Sequence, residues 1–469
     1  MISLILIFPI IACLILFLVK KRALQNSVIF LYSLIHLIST ICLCANINPF
    51  DIEQNFFALD GLNKIFLLVL SIVFMAFSIY NIEYMKDDSS SIKKLKRYGY
   101  AVLLFVLSMT GAILSTNLGL TWVFIEATTL ASAYLIYFHK TKHSIEAAWK
   151  YVFICSIGIA LAFVGIILLT ISTGNLNSLF YEDLYNNARF FNEFWLKLSF
   201  VFILFGIGTK MGLAPVHFWL PDAHAQSPSP VSAMLSATLL NSAFLMILNV
   251  YKIMIAANTD NYAKILLLAM GFLSLFIAAV FVYHINNYKR MLAYSSIENM
   301  GILVIGTALG PIGMFASIIH LIGHSLIKAA FFLTSGNILK IYGTKKINSI
   351  SGILSTDKKT GWLWILSFIG ITAFPPSILF ISEFFIIKTM IKNGQYIMGI
   401  FFLLLLTIVL FGIGKAVISM SFGNKSEKIE QVKMSWLMYF PQIILLVIAF
   451  GIGIYFPFSE TIEKAVIGF

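Results

Sequence analysis

Charge is what this sequence has least of: 11% of its 469 residues are Asp, Glu, Lys or Arg, against 60% hydrophobic. A chain with so little polar surface cannot close into a water-soluble globule. Cysteine is scarce as well. Cys13, Cys42, Cys44 and Cys155 lie in or beside apolar segments, and Cys42-Leu-Cys44 lacks metal-ligand spacing, so all four read as small hydrophobes. No Gly-rich nucleotide loop follows a strand, no cysteine cluster suits iron–sulfur, and no soluble domain could hold either. The chain is therefore expected to carry no cofactor and no redox centre of its own. Short segments of period-2 alternation are missing too, which excludes a membrane β-barrel.

What is abundant is apolar sequence in runs of about 20 residues, enough for a bilayer core of ~30 Å. Fourteen spans are predicted, at 2–19, 27–45, 61–80, 98–115, 118–138, 145–172, 195–220, 229–252, 262–284, 291–310, 312–339, 361–390, 396–420 and 435–456. "MISLILIFPIIACLILFLVKKR" has no basic residue ahead of its apolar run and no small-residue cleavage site, and reads as a first spanning helix. The fold class is all-α and polytopic. The net charge of +12 reads as topogenic lysine and arginine rather than a nucleic-acid surface. Most basic residues follow odd-numbered spans, among them Lys20, Lys96, Arg97, Lys150, Lys289, Arg290, Lys345, Lys346, Lys425, Lys428 and Lys433. The even loops carry Asp51, Glu53, Glu182 and Asp183. The positive-inside rule then puts the odd loops in the cytoplasm and both termini on the outer side of a cell inner (plasma) membrane.

Against this background a few ionisable residues stand out inside spans: Glu126, Lys210, Glu298, His320, His324, Lys328 and Glu383. A charge at the bilayer centre costs at least ~2.5–3.5 kcal/mol, so an unpaired one is rarely kept without a use. Lys210 lies roughly 22 Å along its run and could snorkel toward the break at Pro215. Carboxylates in the same bundle favour a functional reading. His320, His324 and Lys328 are spaced i, i+4, i+8 in "HLIGHSLIKAA", on one helix face, and read as a proton relay. A zinc clamp is the alternative for two histidines at i, i+4, and the adjoining lysine argues against it.

The spacing also suggests a repeat. Lys210 follows Glu126 by 84 residues and Glu383 follows Glu298 by 85, each pair on the second and fourth helices of a five-helix group. Both fourth helices, the seventh and twelfth spans, are broken by proline, at Pro215 and at Pro375–Pro376. Five being odd, the second copy must be inverted, an arrangement that places sites near the membrane midplane. The expected division is 1–97 for the first three helices, 98–260 and 261–422 for the two repeats, and 423–469 for the last helix. The stretch "GTKMGLAPVHFWLPDAHAQSPSP" adds His217, Asp222 and His224 as secondary candidates beside Glu298. Asp222 and His224 read either as the mouth of a proton uptake path or as a capped turn.

Four segments resemble the antiporter-like subunits of respiratory complex I, of membrane-bound NiFe hydrogenases such as hydrogenase-4 and formate hydrogenlyase, and of Mrp-type Na+/H+ antiporters. They are "KMGLAPVHFWLPDAHAQSPSPVSAMLSA", "NNYKRMLAYSSIENMGIL", "HLIGHSLIKAAFFLTSGNI" and "FPPSILFISEFF". The resemblance covers nearly the whole chain. It implies that Glu126 is the fifth-helix carboxylate, Lys210 the lysine of broken helix seven, and Lys328 the lysine of helix eleven beside His320 and His324. Glu383 takes the helix-twelve position. It further implies proton uptake from the cytoplasm and transfer along a hydrated axis, with partners in the same membrane and a peripheral redox module of NiFe hydrogenase or NADH dehydrogenase type. Some members carry a histidine on helix eight, where this chain offers Ser232 or Ser236. "SSIENMG" leans toward the hydrogenase-associated branch. Three readings follow: a proton-translocating subunit of a redox complex, an Mrp-type Na+/H+ antiporter subunit, and a membrane scaffold that moves no ion.

Overall fold

The computed structural model describes residues 2–19, 21–45, 56–59, 61–86, 91–423, 434–455, 460, 462–463 and 466. Of the charges used to orient the chain, Lys20, Asp51, Glu53, Lys425, Lys428 and Lys433 lie outside the described residues. The helices are α1 (Ile2–Leu18), α2 (Arg22–Cys44), α3 (Gly61–Tyr84), α4 (Ile92–Leu114), α5 (Leu118–Ile136), α6 (Lys142–Ser172), α7 (Tyr181–Asn187), α8 (Glu193–Met211), α9 (Trp219–Gln226) and α10 (Ser229–Met234). They continue as α11 (Leu240–Ala256), α12 (Asp260–Val282), α13 (Tyr288–Ala308), α14 (Pro311–Tyr342), α15 (Ile353–Thr356), α16 (Lys358–Ile371), α17 (Ile378–Lys392), α18 (Tyr396–Ser421) and α19 (Phe440–Ile454). Among the described residues there is no strand, only isolated bridges such as Phe57–Ser115 and Asn117–Phe180.

Ten helical stretches are long and apolar enough to cross a membrane, with Ser229–Ala256 counted as one, and α1 and α19 are shorter apolar helices. The expected fourteen is reached only when α13, polar for its length, and the broken pair α16–α17 are each counted as a pass. Helix starts follow the sequence closely. Asn117, Thr141 and Asn192 side chains accept from the backbone N–H groups of Leu120, Ser144 and Trp195, which satisfies donors that a first turn leaves unpaired.

The two proposed five-helix groups share an order of neighbours. In the first, α4 packs on α5, α5 on α6, α6 on α8 and α8 on α11; in the second, α12 packs on α13, α13 on α14, α14 on α16 and α17, and α16 on α18. Close approach of α6 to α8 depends on small residues. A Cβ on Gly206 would stand 2.5 Å from both the Gly158 carbonyl and the Ala162 amide, a backbone proximity that membrane helices reach only with small side chains.

Both broken segments find protein partners for the groups they free. α8 stops at Gly212, which takes the left-handed conformation (φ +79°) that glycine adopts without penalty. The Thr209 carbonyl then accepts from the Trp219 indole at 2.7 Å, and the Ala214 amide donates to Ser274 at 2.9 Å. In the other break the Gly370 carbonyl accepts from Ser377 at 2.9 Å. Irregular backbone at membrane depth is tolerated where protein groups satisfy it in this way, while Pro215 and Phe374, Pro375 and Pro376 keep exposed surface.

Candidate functional site

Lys210 occupies the last turn of α8 and is fully buried. Its Nζ donates to Tyr151 Oη on α6 at 2.6 Å and to Thr129 Oγ1 on α5 at 2.9 Å. Thr129 in turn donates to Glu126 Oε2 at 3.3 Å, so the lysine meets its carboxylate through a hydroxyl. Tyr151 also shares a 2.6 Å bond with Ser132, and its ring lies tilted against that of Trp219 across the break, centroids 4.8 Å apart. Glu126 is only half-buried, at the edge of the molecule. This arrangement can pass a proton: each hydroxyl both accepts and donates, and the two charged ends stand one residue apart in the chain of bonds.

The second cluster centres on α14. Lys328 is fully buried and donates to the Leu292 carbonyl of α13 at 2.7 Å. Glu298, on α13 and 7% exposed, stands within electrostatic reach of it. His320 bridges two helices, through Asn299 on α13 at 3.0 Å and Ser382 on α17 at 2.9 Å. His324, between them, has no protein partner at either ring nitrogen although it is fully buried. Glu383 adjoins Ser382, within electrostatic reach of Glu298, and keeps part of its surface exposed. No group of three His, Cys, Asp or Glu that could hold a metal occurs among the described residues.

Between the clusters the two serines weighed for the helix-eight position take different parts. Ser232 turns back on its own segment, to Ser227 at 2.7 Å and the His224 carbonyl at 3.1 Å. Ser236 reaches Ser296 of α13 at 2.8 Å and lies within a π-helical turn, Leu235–Leu239, a distortion that often marks functional positions.

The secondary candidates fall differently from the sequence reading. Asp222 is not in a turn but in the first turn of α9, and its carboxylate pairs with Lys150 at 3.2 Å and with Arg290 instead of with nearby backbone. His224, on the last turn of α9, is buried, stacked on Phe332 with centroids 4.8 Å apart, and near Lys289 and Lys328. His217 is buried in the break beside Phe218 and Tyr294. Two lysines read as topogenic are occupied internally. Lys289 is fully buried and donates to the Ser227 carbonyl at 2.7 Å; Lys345 donates to the Ala225 carbonyl at 2.6 Å. Together they satisfy carbonyls at the end of α9, where cations are favoured. Burial holds the Lys345 ammonium below the usual lysine range.

Thr129, Tyr151, Ser132, Asn299 and Ser382 were not foreseen. A signal existed for most of them: Asn299 and Ser382 adjoin Glu298 and Glu383 in sequence, and Thr129 lies one turn from Glu126.

The family described as NADH:quinone oxidoreductase/Mrp antiporter, transmembrane, matches residues 115–413. A hydrogenase-4 component F homolog of Methylacidiphilum infernorum is 32% identical over 466 residues, covering 97% of this chain and 96% of its own length. Among solved structures, a chain of an archaeal membrane-bound sulfane sulfur reductase, a respiratory membrane complex, superposes with TM-score 0.90 at 22% identity, over 99% of this chain and 97% of that one. A chain of the Mrp complex from a Dietzia species gives TM-score 0.87 at 18% identity, over 100% and 97%.

Proposed function

Since this chain belongs to the NADH:quinone oxidoreductase/Mrp antiporter transmembrane family and is an antiporter-like membrane subunit, we propose that it moves protons across the membrane for a redox-driven, hydrogenase-type complex. The observation that carries this reading is the bond chain Lys210–Thr129–Glu126, a buried ammonium joined to a carboxylate by a group able to relay hydrogen. On this reading Lys210, Lys328, Glu126 and Glu383 carry the charge movements, with Glu298, His320 and His324 between them. His217 and His224 border the path near the break. Ser236 meets Ser296, which shares the Leu292 carbonyl with Lys328, and on this reading extends the second cluster toward the first. The shared order of helix neighbours supports reading 98–260 and 261–422 as inverted repeats in a fourteen-pass chain.

Glu126 and Glu383 each keep part of their surface exposed at an edge of the molecule within predicted spans, where a charge facing lipid is costly. We infer that each edge is covered by another membrane subunit, and that a peripheral module supplies the electrons. The relative named as a hydrogenase component supports the NiFe hydrogenase type over the NADH dehydrogenase type. Loop charge supports an orientation with both termini outside, and the membrane proposed is the plasma membrane.

The second reading, an Mrp-type Na+/H+ antiporter subunit, is favoured by the fold shared with the Mrp complex. One experiment separates them. Inverted vesicles holding the assembled complex are energised with its electron donor, with Na+ present and absent, for wild type and Lys210→Ala. Loss of acidification in the variant, with assembly intact on native gels, supports proton transfer. A Na+ requirement moves the assignment to the antiporter, and wild-type acidification in the variant leaves only a scaffold.

A further inference from the structure

The ring of His320 is held at both nitrogens by partners that have bonds of their own. Asn299 Nδ2 donates to the Ser295 carbonyl at 2.6 Å, which turns the amide oxygen toward His320 Nε2. An amide oxygen accepts hydrogen bonds and does not take up a proton, so Nε2 carries hydrogen in either charge state. Ser382 Oγ lies 2.8 Å from the Leu379 carbonyl and 2.9 Å from His320 Nδ1, with one hydrogen to give. Given to Leu379, that hydrogen leaves the oxygen free to accept from Nδ1–H of the cationic ring. Given to Nδ1, it serves the neutral ring. All three side chains are buried, so neither arrangement is exchanged for bulk water.

We propose that Asn299 and Ser382 are positioning residues that make His320 a proton store, loaded and emptied at Nδ1 alone, rather than a ring that passes protons between its two nitrogens. Loading takes one proton from the titratable groups of the column and adds it, with one positive charge, at Nδ1 while the Ser382 hydrogen turns to the Leu379 carbonyl; emptying returns the proton to that column. Emptying reverses both changes, and the Nε2 bond persists throughout. The titratable groups on the elements packed against α14 here are Glu298 on α13 and Glu383 on α17, with His324 and Lys328 on its own helix and His224 of α9 beyond His324. His324, with no protein partner, is under no such restraint. The inference rests on the column being a proton path.

The test uses the assembled complex in inverted vesicles across a pH series. Ser382→Ala removes an acceptor from the cationic ring and a donor from the neutral one. Bonds to charged groups are the stronger, so the alkaline limb of the acidification profile is expected to move to lower pH by about one unit. Ser382→Thr is expected to restore the wild-type profile. Should Ser382→Ala fail to assemble, Ser382→Cys, a weaker partner, is expected to shift the profile the same way. Asn299→Asp places a proton-accepting oxygen at Nε2, and the passive leak without electron donor is expected to rise several-fold. An unshifted profile in Ser382→Ala, or a wild-type leak in Asn299→Asp, overturns the proposal. Lys328→Ala separates it from its premise: full acidification there overturns the path itself, whereas loss there beside an unshifted Ser382→Ala overturns the His320 store alone.

Discussion

Thr129 stands between the ammonium of Lys210 and the carboxylate of Glu126, and its position as both acceptor and donor makes it the residue on which the first cluster turns. Thr129→Val keeps the shape and removes the hydroxyl. A hydrogen bond to a charged group contributes about 1.5–3 kcal/mol, so proton transfer is expected to slow by about tenfold or more, with Thr129→Ser near wild type in vesicle acidification. Tyr151→Phe leaves the ring under the ammonium at 4.8 Å but removes an acceptor, and a smaller loss is expected in the same assay. The ionisable residues of the site were legible because a charge inside an apolar run is anomalous. The hydroxyls and amides were not. Many such groups in these helices bond only their own preceding turn, as Thr209, Thr334 and Thr389 do, and only its place one turn from Glu126 separates Thr129 from them.

At the scale of elements, α9 was the least legible. Its sequence, "WLPDAHAQ", reads as a turn, yet it is helical, and Pro221 falls in the first turn, where backbone N–H groups have no helical partner to lose. What fixes so short a helix is charge from other elements: Lys150 and Arg290 on Asp222, and Lys289 and Lys345 on its terminal carbonyls. Asp222→Asn is expected to weaken that hold and raise hydrogen exchange of α9 amides, measured in the assembled complex, while neighbouring α8 amides stay protected. The long helices, by contrast, were readable from apolar length alone, and their proline breaks from composition. Their mutual spacing was not. Gly206→Ala would force α6 and α8 apart, at a cost of about 1–3 kcal/mol typical of overpacking, seen as a lower thermal stability of the purified subunit complex.

For the whole molecule the question is whether two clusters act as one path. Among the described residues, the bond between Ser236 and Ser296 is the side-chain link from the helix-eight segment to α13. If transfer is continuous, the double variant Lys210→Ala with Lys328→Ala is expected to acidify vesicles no more slowly than the slower single variant, because groups that act as a unit are not additive. Independent paths would instead give the product of the two losses.

The two carboxylates at the edges, Glu126 and Glu383, also bear on how the chain is made. A copy synthesised in excess of its neighbours presents both to acyl chains, or must bind protons to neutralise them. Surplus copies are therefore expected to be less durable than those already joined to a complex, and a pulse-chase in cells lacking the adjacent subunits should show faster turnover, slowed by Glu126→Gln with Glu383→Gln. The same residues that carry charge in the finished machine would then act, during biogenesis, as its check on stoichiometry.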